Sequence, residues 1–427
     1  MKTKQKKQKK TAKQKAKTFF KILLIIVLII AVICGALAIV SAVGNKSNSS
    51  FIDGSVSAIK YENQLEPIVD DDGCYTFVTD DNLKILHLTD VHIGAGFMSI
   101  KKDNNALNAV AAMVSAEKPD LVVITGDIAY PVPFQAGTFN NKSSALLFAQ
   151  LMEKLGVYWA PVFGNHDTEM YSYYSRKTIG ELYDNKEEYP HCLFQSGSED
   201  IDGVGNYAIK VKNTKGDITQ ALFMFDSQSY TDNDYFGALW KYDCVHENQI
   251  KWYEDTLADF TKQNHNVTPK SLAFMHIPFQ EMKDAYYEYV DNGCKDTDNV
   301  HYIYGKAGEH KNVIYSSTKN YGLFDSMLAS NSTQGVFFGH DHLNNFSLEY
   351  KGIRLTYGYS IDYLAYSGIS KYGAQRGCAI IDVNSDGTFD SHLENYYQEK
   401  YEAPRDKESI TMDDFYDDGG EVVTEEN

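Results

Sequence analysis

The chain has few cysteines, and they are not arranged as a thiolate metal site. It contains six cysteines in 427 residues, and Cys34 lies inside an apolar run near the N-terminus. The other five contain no C-x-x-C pair, which argues against a structural zinc site with thiolate ligands. Because five is an odd number, at least one thiol stays free even in an oxidising compartment.

Basic residues are scarce once the N-terminal segment is passed. Ten of the 40 basic residues lie within residues 1–21, which contain no acid, so the remainder carries 30 basic and 58 acidic residues. This remainder therefore has a net charge of about −28. A surface of that sign excludes general nucleic-acid binding, and no nucleic-acid partner is expected.

The N-terminal segment begins without acidic residues and continues as an apolar run that has no polar face. Residues 2–17 carry nine lysines, and residues 22–43 are uninterrupted apolar or small residues. Such a run is long enough to cross about 30 Å of hydrocarbon. We therefore predict a transmembrane helix over residues 22–43, with residues 1–21 in the cytoplasm and the rest outside the cell membrane. The alternative is a cleavable signal peptide, whose apolar region normally has about 7–15 residues.

The remaining chain is predicted to form one domain with flanking segments. Residues 44–82 are expected to be a polar linker and an irregular lead-in, residues 83–400 the domain, and residues 401–427 an acidic, disordered tail. Within the domain, residues 279–321 show no clear periodicity and are expected to be a long, functional loop.

Five apolar runs of the domain end in residues that bind metals or transfer protons. Residues 84–89 precede Asp90 and His92, residues 121–125 precede Asp127, residues 157–163 precede Asn165, His166 and Asp167, residues 271–275 precede His276, and residues 335–338 precede His340 and His342. Helical spacing over residues 103–117, with Asp103 as the expected N-cap, and over 143–155 separates the first three runs. This alternation predicts a parallel α/β arrangement. The carboxyl ends of such strands meet at one edge of the sheet, so these side chains are expected to converge.

The order of these residues resembles a known enzyme family. The pattern D-x-H, G-D, G-N-H-D, H and G-H-x-H is that of the calcineurin-like metallophosphoesterases, and the resemblance covers residues 83–383. Residues 163–169, 202–207 and 320–324 also resemble the purple-acid-phosphatase-like branch. The resemblance implies a four-layer α/β/β/α sandwich, here preceded by one N-terminal transmembrane helix.

The resemblance also implies two divalent metal ions, which the residue types allow to be Mn, Fe, Zn or Mg. The first ion would take Asp90, His92, Asp127 and His342, and the second would take Asp127, Asn165, His276 and His340. Purple acid phosphatases place a tyrosine three residues after the bridging aspartate and lack the histidine of the first motif. This chain has both Tyr130 and His92, so we expect His92 to be the ligand and Tyr130 to lie behind it.

The implied reaction is hydrolysis of a phosphate monoester. Two ions about 3.5–4 Å apart would hold a bridging hydroxide for in-line attack. His166 would protonate the leaving oxygen, and Asp167 beside it would orient the imidazole. One alternative is a phosphodiesterase acting on nucleotides or lipid head groups. Another is a non-catalytic binding protein on the same fold. Arg376 is a candidate contact for the substrate phosphate.

Overall fold

The computed structural model describes residues 11–231, 234, 237–366, 369 and 376–408. Its α-helices are α1 (Ala12–Ser55), α2 (Ile100–Glu117), α3 (Asn141–Leu155), α4 (Arg176–Tyr183), α5 (Glu247–Gln263), α6 (Gln280–Asp291) and α7 (Leu323–Ser330). Its strands are β1 (Ile68–Val69), β2 (Tyr75–Val78), β3 (Leu83–Leu88), β4 (Leu121–Thr125), β5 (Tyr158–Val162), β6 (Tyr207–Lys212), β7 (Ile218–Met224), β8 (Lys270–Phe274), β9 (Val300–Tyr304), β10 (Thr333–Phe338), β11 (Ser347–Tyr350), β12 (Ile353–Tyr357), β13 (Gly377–Val383) and β14 (Phe389–Asn395).

The strands form two sheets. The smaller sheet has the order β14-β13-β3-β4-β5, and the larger has the order β1-β2-β6-β7-β8-β10-β12-β11-β9. Strands β3, β4 and β5 are parallel, with α2 and α3 as the crossover helices. Strands β7, β8, β10 and β12 are parallel in the larger sheet. Each sheet therefore has one edge at which several strands end together.

The larger sheet buries both of its faces, and its sequence alternates accordingly. Leu222 and Leu272 belong to the core shared with the smaller sheet. Their neighbours Phe223 and Ala273 belong to a second core, which also contains residues of α5, α6 and α7. Because successive strand residues point to opposite faces, one side of the sheet meets the other sheet and the other side meets helices. With α2 and α3 outside the smaller sheet, this is the predicted four-layer sandwich.

Helix α1 does not stop where the apolar run stops. Residues 45–50, expected to be a linker, are helical, and the linker prediction was wrong. Asn48 of this stretch, and Phe51 and Ile52 directly after it, are buried at helical spacing and form a contact face. This face packs against α2 and α3. Within the described part of the chain, one helix is long and apolar enough to cross a membrane, and it is this one.

Three further predictions about local structure were wrong. Helix α2 begins three residues before Asp103, whose buried carboxylate instead accepts hydrogen bonds from the backbone N–H groups of Gly94 and Ala95. The region 279–321 is not one long loop, because it contains α6 and β9. The tail does not begin at residue 401, because the Tyr401 ring is buried and its hydroxyl donates to Glu117. Residues 409–427 of the predicted tail lie outside the described residues.

Candidate metal centre

The predicted ligands lie at the carboxyl ends of five strands, in turns of unusual backbone conformation. Asp90 and His92 follow β3, Asp127 follows β4, Asn165 follows β5, His276 follows β8, and His340 and His342 follow β10. Asp90, His92, Asp127 and His340 have positive φ angles of 52°, 53°, 53° and 80°. A side chain in this left-handed region costs about 1–3 kcal/mol. The surrounding structure therefore holds four of the seven predicted ligands in strained turns.

Two glycines allow the turns to approach each other closely. A Cβ atom on Gly164 would lie 2.2 Å from Asp127 Oδ1, and one on Gly339 would lie 1.9 Å from Thr89 Oγ1. Neither distance is possible between non-bonded atoms. The glycines of the G-N-H-D and G-H-x-H motifs are thus required for the strand ends to meet.

Asp127 lies between the two groups of predicted ligands. We call Asp90, His92 and His342 the first half-site, and Asn165, His276 and His340 the second half-site. Asp127 Oδ2 is 3.3 Å from His92 Nε2 in the first and 3.1 Å from His276 Nε2 in the second. This position fits the predicted bridging role.

In the first half-site, Asp90 lies in front of the two imidazoles and Asp362 lies behind them. Asp90 Oδ1 is 3.8 Å from His92 Nε2 and 3.3 Å from His342 Nε2, and the three residues offer ligand atoms within 4.8 Å of one another. On the far side of the rings, Asp362 lies 3.4 Å from His92 Nδ1 and 3.2 Å from His342 Nδ1. One carboxylate therefore orients both imidazoles with their Nε2 atoms toward the centre.

The second half-site is oriented by neutral groups. The carbonyl of Thr125 accepts a hydrogen bond of 2.7 Å from His276 Nδ1, so His276 Nε2 faces the centre 3.1 Å from Asn165 Oδ1. The Asn165 side-chain amide donates to the Tyr230 hydroxyl at 3.0 Å, which leaves its carbonyl oxygen turned inward. His340 completes the group, with the edge of its ring against Tyr242.

The donor atoms fit divalent cations. Asp90 Oδ1 and His340 Nε2 are buried and make no hydrogen bond within the described residues. A buried polar atom without a partner is costly, and a cation in each half-site would satisfy these atoms. Carboxylate and amide oxygens combined with imidazole nitrogens suit hard-to-borderline ions such as Mn, Fe, Zn or Mg.

The charges of the centre are strongly coupled. Burial alone would raise the pKa of the Asp90 carboxyl, but the nearby His342 and His276 lower it to about 2. Burial would lower the pKa of His276, but Asp127 raises it to about 9. For His340, burial and the neighbouring His276 lower the pKa well below its usual value. His340 is therefore a neutral imidazole, which is the form that binds metals.

His166 is oriented by a glutamate and not by the residue that we predicted. Its backbone N–H donates to Asp127 Oδ1 at 2.7 Å, and its Nδ1 lies 2.6 Å from Glu169 Oε1. The imidazole is about a quarter exposed, so part of the ring can be reached from outside the centre. The prediction that Asp167 orients this ring was wrong.

Asp167 instead fixes the backbone of two strand ends. Its buried carboxylate accepts hydrogen bonds from the backbone N–H groups of Asp127, Ala129 and Gly164. Burial, together with the charge of Asp127, raises the pKa of this carboxyl to about 6. Asp167 therefore joins the turn after β4 to the turn after β5 and contributes to the site through the backbone.

Tyr130 and Arg376 have supporting positions. The Tyr130 ring stacks on His92 with 4.6 Å between ring centroids, and its hydroxyl donates to Gln135. Tyr130 thus lies behind a predicted ligand, as expected. Arg376 is buried and donates to Tyr397 and Glu408, so the structure gives it a packing role and not the suggested phosphate contact.

Sequence reasoning missed Asp362, Glu169 and Tyr230. Asp362 follows β12, which is parallel to β10, so it lies at a sixth strand end of the same edge. Glu169 lies three residues after His166, a spacing at which side chains in a turn commonly meet. Nothing in the sequence around Tyr230 signals its hydrogen bond to Asn165.

Comparisons with known proteins identify the family of the chain. The family model described as calcineurin-like phosphoesterase matches residues 83–344. "Probable inactive purple acid phosphatase 14" of Arabidopsis thaliana is 30% identical, covering 73% of this chain and 78% of the relative. "Probable inactive purple acid phosphatase 28" of the same plant is 27% identical, covering 68% and 73%. A crystal structure of a dimetal phosphatase from Danio rerio has a TM-score of 0.44 and 12% identity, covering 74% of this chain and 99% of that chain. The chain belongs to the calcineurin-like phosphoesterase family, and its relatives are purple-acid-phosphatase-like proteins.

Proposed function

We propose that the protein is a membrane-anchored phosphoesterase that hydrolyses a phosphate monoester. The observation that carries the proposal is the convergence of six buried ligand residues around Asp127, with Asp90 Oδ1 and His340 Nε2 left without a hydrogen bond. Two divalent ions held there would polarise the phosphoryl oxygens and activate water for in-line attack. A phosphodiesterase activity uses the same centre and is the nearest alternative.

The protein's own residues divide the remaining work. Asp90, His92 and His342 would hold one ion, Asn165, His276 and His340 would hold the other, and Asp127 would bridge them. Glu169 orients His166 through Nδ1, so its Nε2 can deliver a proton to the leaving oxygen. Asp362 faces Nδ1 of His92 and of His342, and the Thr125 carbonyl accepts from Nδ1 of His276, so these contacts orient three ligand imidazoles.

A second candidate is a binding protein that keeps the fold without turnover. Its support comes from the relatives, three of which are named as probable inactive purple acid phosphatases. The full donor set of this chain favours catalysis, because a binding role does not require an oriented proton donor such as His166. Turnover of aryl monoesters and diesters by the purified protein, measured with its metal content, distinguishes the three possibilities.

The leaving-group role is tested by changing His166 to alanine. The variant should keep both ions and lose about 10²–10⁴-fold in kcat/KM on an alkyl phosphate, whose alkoxide must be protonated. A nitrophenyl phosphate should be affected much less, because nitrophenolate leaves without protonation. Asn165→Ala is the matched control, and it should lose metal and slow both esters alike. Equal losses on both esters in His166→Ala would remove His166 from this role.

The anchor is tested by fractionation. Residues 22–43 should keep the protein in the membrane through a high-salt wash, and protease added from outside should degrade the domain. A soluble product beginning near residue 43 would instead identify a signal peptide. A domain protected from protease would reverse the proposed orientation.

A further inference from the structure

The anchor helix leaves the domain at the edge that carries the metal centre. Asn45 of α1 donates to the carbonyl of Ala95, which lies just before α2 begins. Further along the chain, the Tyr61 hydroxyl donates to the carbonyl of Pro119, just after α2 ends. The segment 45–61 therefore runs alongside α2 in the same direction, from the carboxyl ends of the strands toward their amino ends. Residues 22–43 consequently project beyond the catalytic edge.

The metal centre lies close to the end of the apolar run. Ala95 is three residues after His92, which limits the separation of their Cα atoms to about 11 Å. Asn45 is two residues past the apolar run, which is about 3 Å along the helix axis. The head-group layer on each side of a bilayer is about 5–8 Å thick. With the side-chain hydrogen bond that joins Asn45 to Ala95 included, the centre is therefore within about 20 Å of the end of the apolar run.

Three loops form a continuous surface from α1 across this edge. We call residues 93–99, 130–139 and 170–174 the apolar rim. Asn45 contacts the first loop at Ala95. The first loop is joined to the second by a hydrogen bond from the backbone N–H of Met98 to the carbonyl of Ala136. The second is joined to the third in the same way, from Tyr173 to Phe139.

The apolar rim exposes large apolar side chains and almost no charge. Met98, Phe134, Met170 and Tyr173 are 51%, 89%, 64% and 67% exposed. Residues 93–100 and 128–140 contain no charged residue, although the chain after residue 21 is strongly acidic. An apolar patch of this kind marks an interaction surface.

Two lysines lie beside the apolar rim. Lys46 follows Asn45 on α1, Lys101 lies in the first turn of α2, and both are exposed. A basic group in the first turn of a helix interacts unfavourably with the helix dipole. It is favourable beside anionic lipid head groups. Both positions are on the side of the domain from which the apolar run projects.

From these positions we propose that the apolar rim lies on the bilayer and that the substrate is a phosphate ester of a lipid head group. This inference rests on the proposed function, because it uses the same anchor and the same catalytic centre. The continuous helix holds the domain in this orientation, and Phe134 and Met98 enter the head-group layer. A lipid phosphate then reaches the centre without leaving the membrane.

The docking is tested with tryptophan reporters in the full-length protein, reconstituted in phosphatidylcholine vesicles. Phe134→Trp and Met98→Trp should gain fluorescence that brominated phosphatidylcholine quenches. Val267→Trp is the control, because Val267 is 63% exposed and precedes β8, at the opposite edge. Its added emission should not be quenched. Equal quenching at both edges, or none at the rim, would overturn the docking. This measurement needs no turnover, so it stands if the proposed function fails.

The substrate class is tested in the same vesicles with phosphatidic acid as the lipid ester and nitrophenyl phosphate as the soluble one. Phe134→Ser should lower the ratio of lipid to soluble turnover about tenfold, because one buried apolar side chain is lost from the contact. Val267→Ser should leave the ratio unchanged. Turnover of the soluble ester without turnover of phosphatidic acid would overturn the lipid substrate. Failure on both esters would overturn the proposed function and the substrate class together.

Discussion

The two halves of the metal centre are built from different supporting groups. In the first half-site, the charged carboxylate of Asp362 faces both imidazoles from behind. In the second, the supporting atoms are the carbonyl of Thr125 and the hydroxyl of Tyr230, both neutral. Asn165 is itself uncharged, so the second half-site contributes no carboxylate other than the shared Asp127.

This difference indicates separate roles for the two positions. More negative charge around the first half-site should bind its cation more tightly. The second half-site is connected to the proton donor, because the Tyr230 hydroxyl also donates to Glu169, the partner of His166. We therefore expect the first position to hold a resident ion and the second to exchange its ion more readily, beside the group that protonates the leaving oxygen.

The largest expected effect comes from removing the shared charge. Asp127→Asn changes a carboxylate that lies 3.3 Å from His92 and 3.1 Å from His276, so affinity should fall at both positions. Loss of the bridge should lower kcat/KM by about 10³-fold or more, since the activating ions supply several kcal/mol to the transition state. Metal analysis and steady-state kinetics check this. Normal metal content with normal rates would rule out the bridging assignment.

A smaller effect, confined to the first half-site, is expected for Asp362→Asn. The neutral amide lacks the charge that faces both imidazoles, so affinity for the first ion should fall about 10–100-fold. Affinity for the second ion should change little. Asp390→Asn, an exposed substitution on β14, is the control and should bind both ions normally. Competition with a chelator measures the two affinities, and equal weakening of both would show that the halves are not independent.

The smallest effect is expected for Tyr230→Phe in the second half-site. The substitution removes one hydroxyl that accepts from Asn165 and donates to Glu169. A single hydrogen bond is worth about 1 kcal/mol, so affinity for the second ion should fall about fivefold. The first ion should be unaffected. The same chelator competition measures this effect. If the first ion were bound more weakly and the second were unaffected, the two ion positions would have been assigned the wrong way round.

The sequence was sufficient to predict that these side chains meet, because all of them follow the ends of apolar strands. Asp90 and His92 come directly after an apolar run, and so does His276, so local order alone predicted a common edge. The four-layer sandwich followed from the family resemblance and was confirmed by the alternation in β7, β8 and β10.

The orienting groups were not predictable in the same way. Which carboxylate reaches His166 depends on the turn after β5, where Asp167 points into the backbone of another loop and Glu169 returns to the ring. Asp362 required knowledge that β12 is parallel to β10, which no pairing signal in the sequence gave. The helical linker was missed because its short polar sequence hides a contact face that exists only against α2 and α3.

The central claim is that two ions act together at unequal positions, and a metal titration of the purified full-length protein tests it most directly. Stripped protein is titrated with Mn²⁺, and bound metal and phosphate-ester hydrolysis are followed together. The account predicts two equivalents per chain, the first bound more tightly, with turnover appearing only as the second is bound. Full activity at one equivalent, or saturation with a single ion, would contradict it.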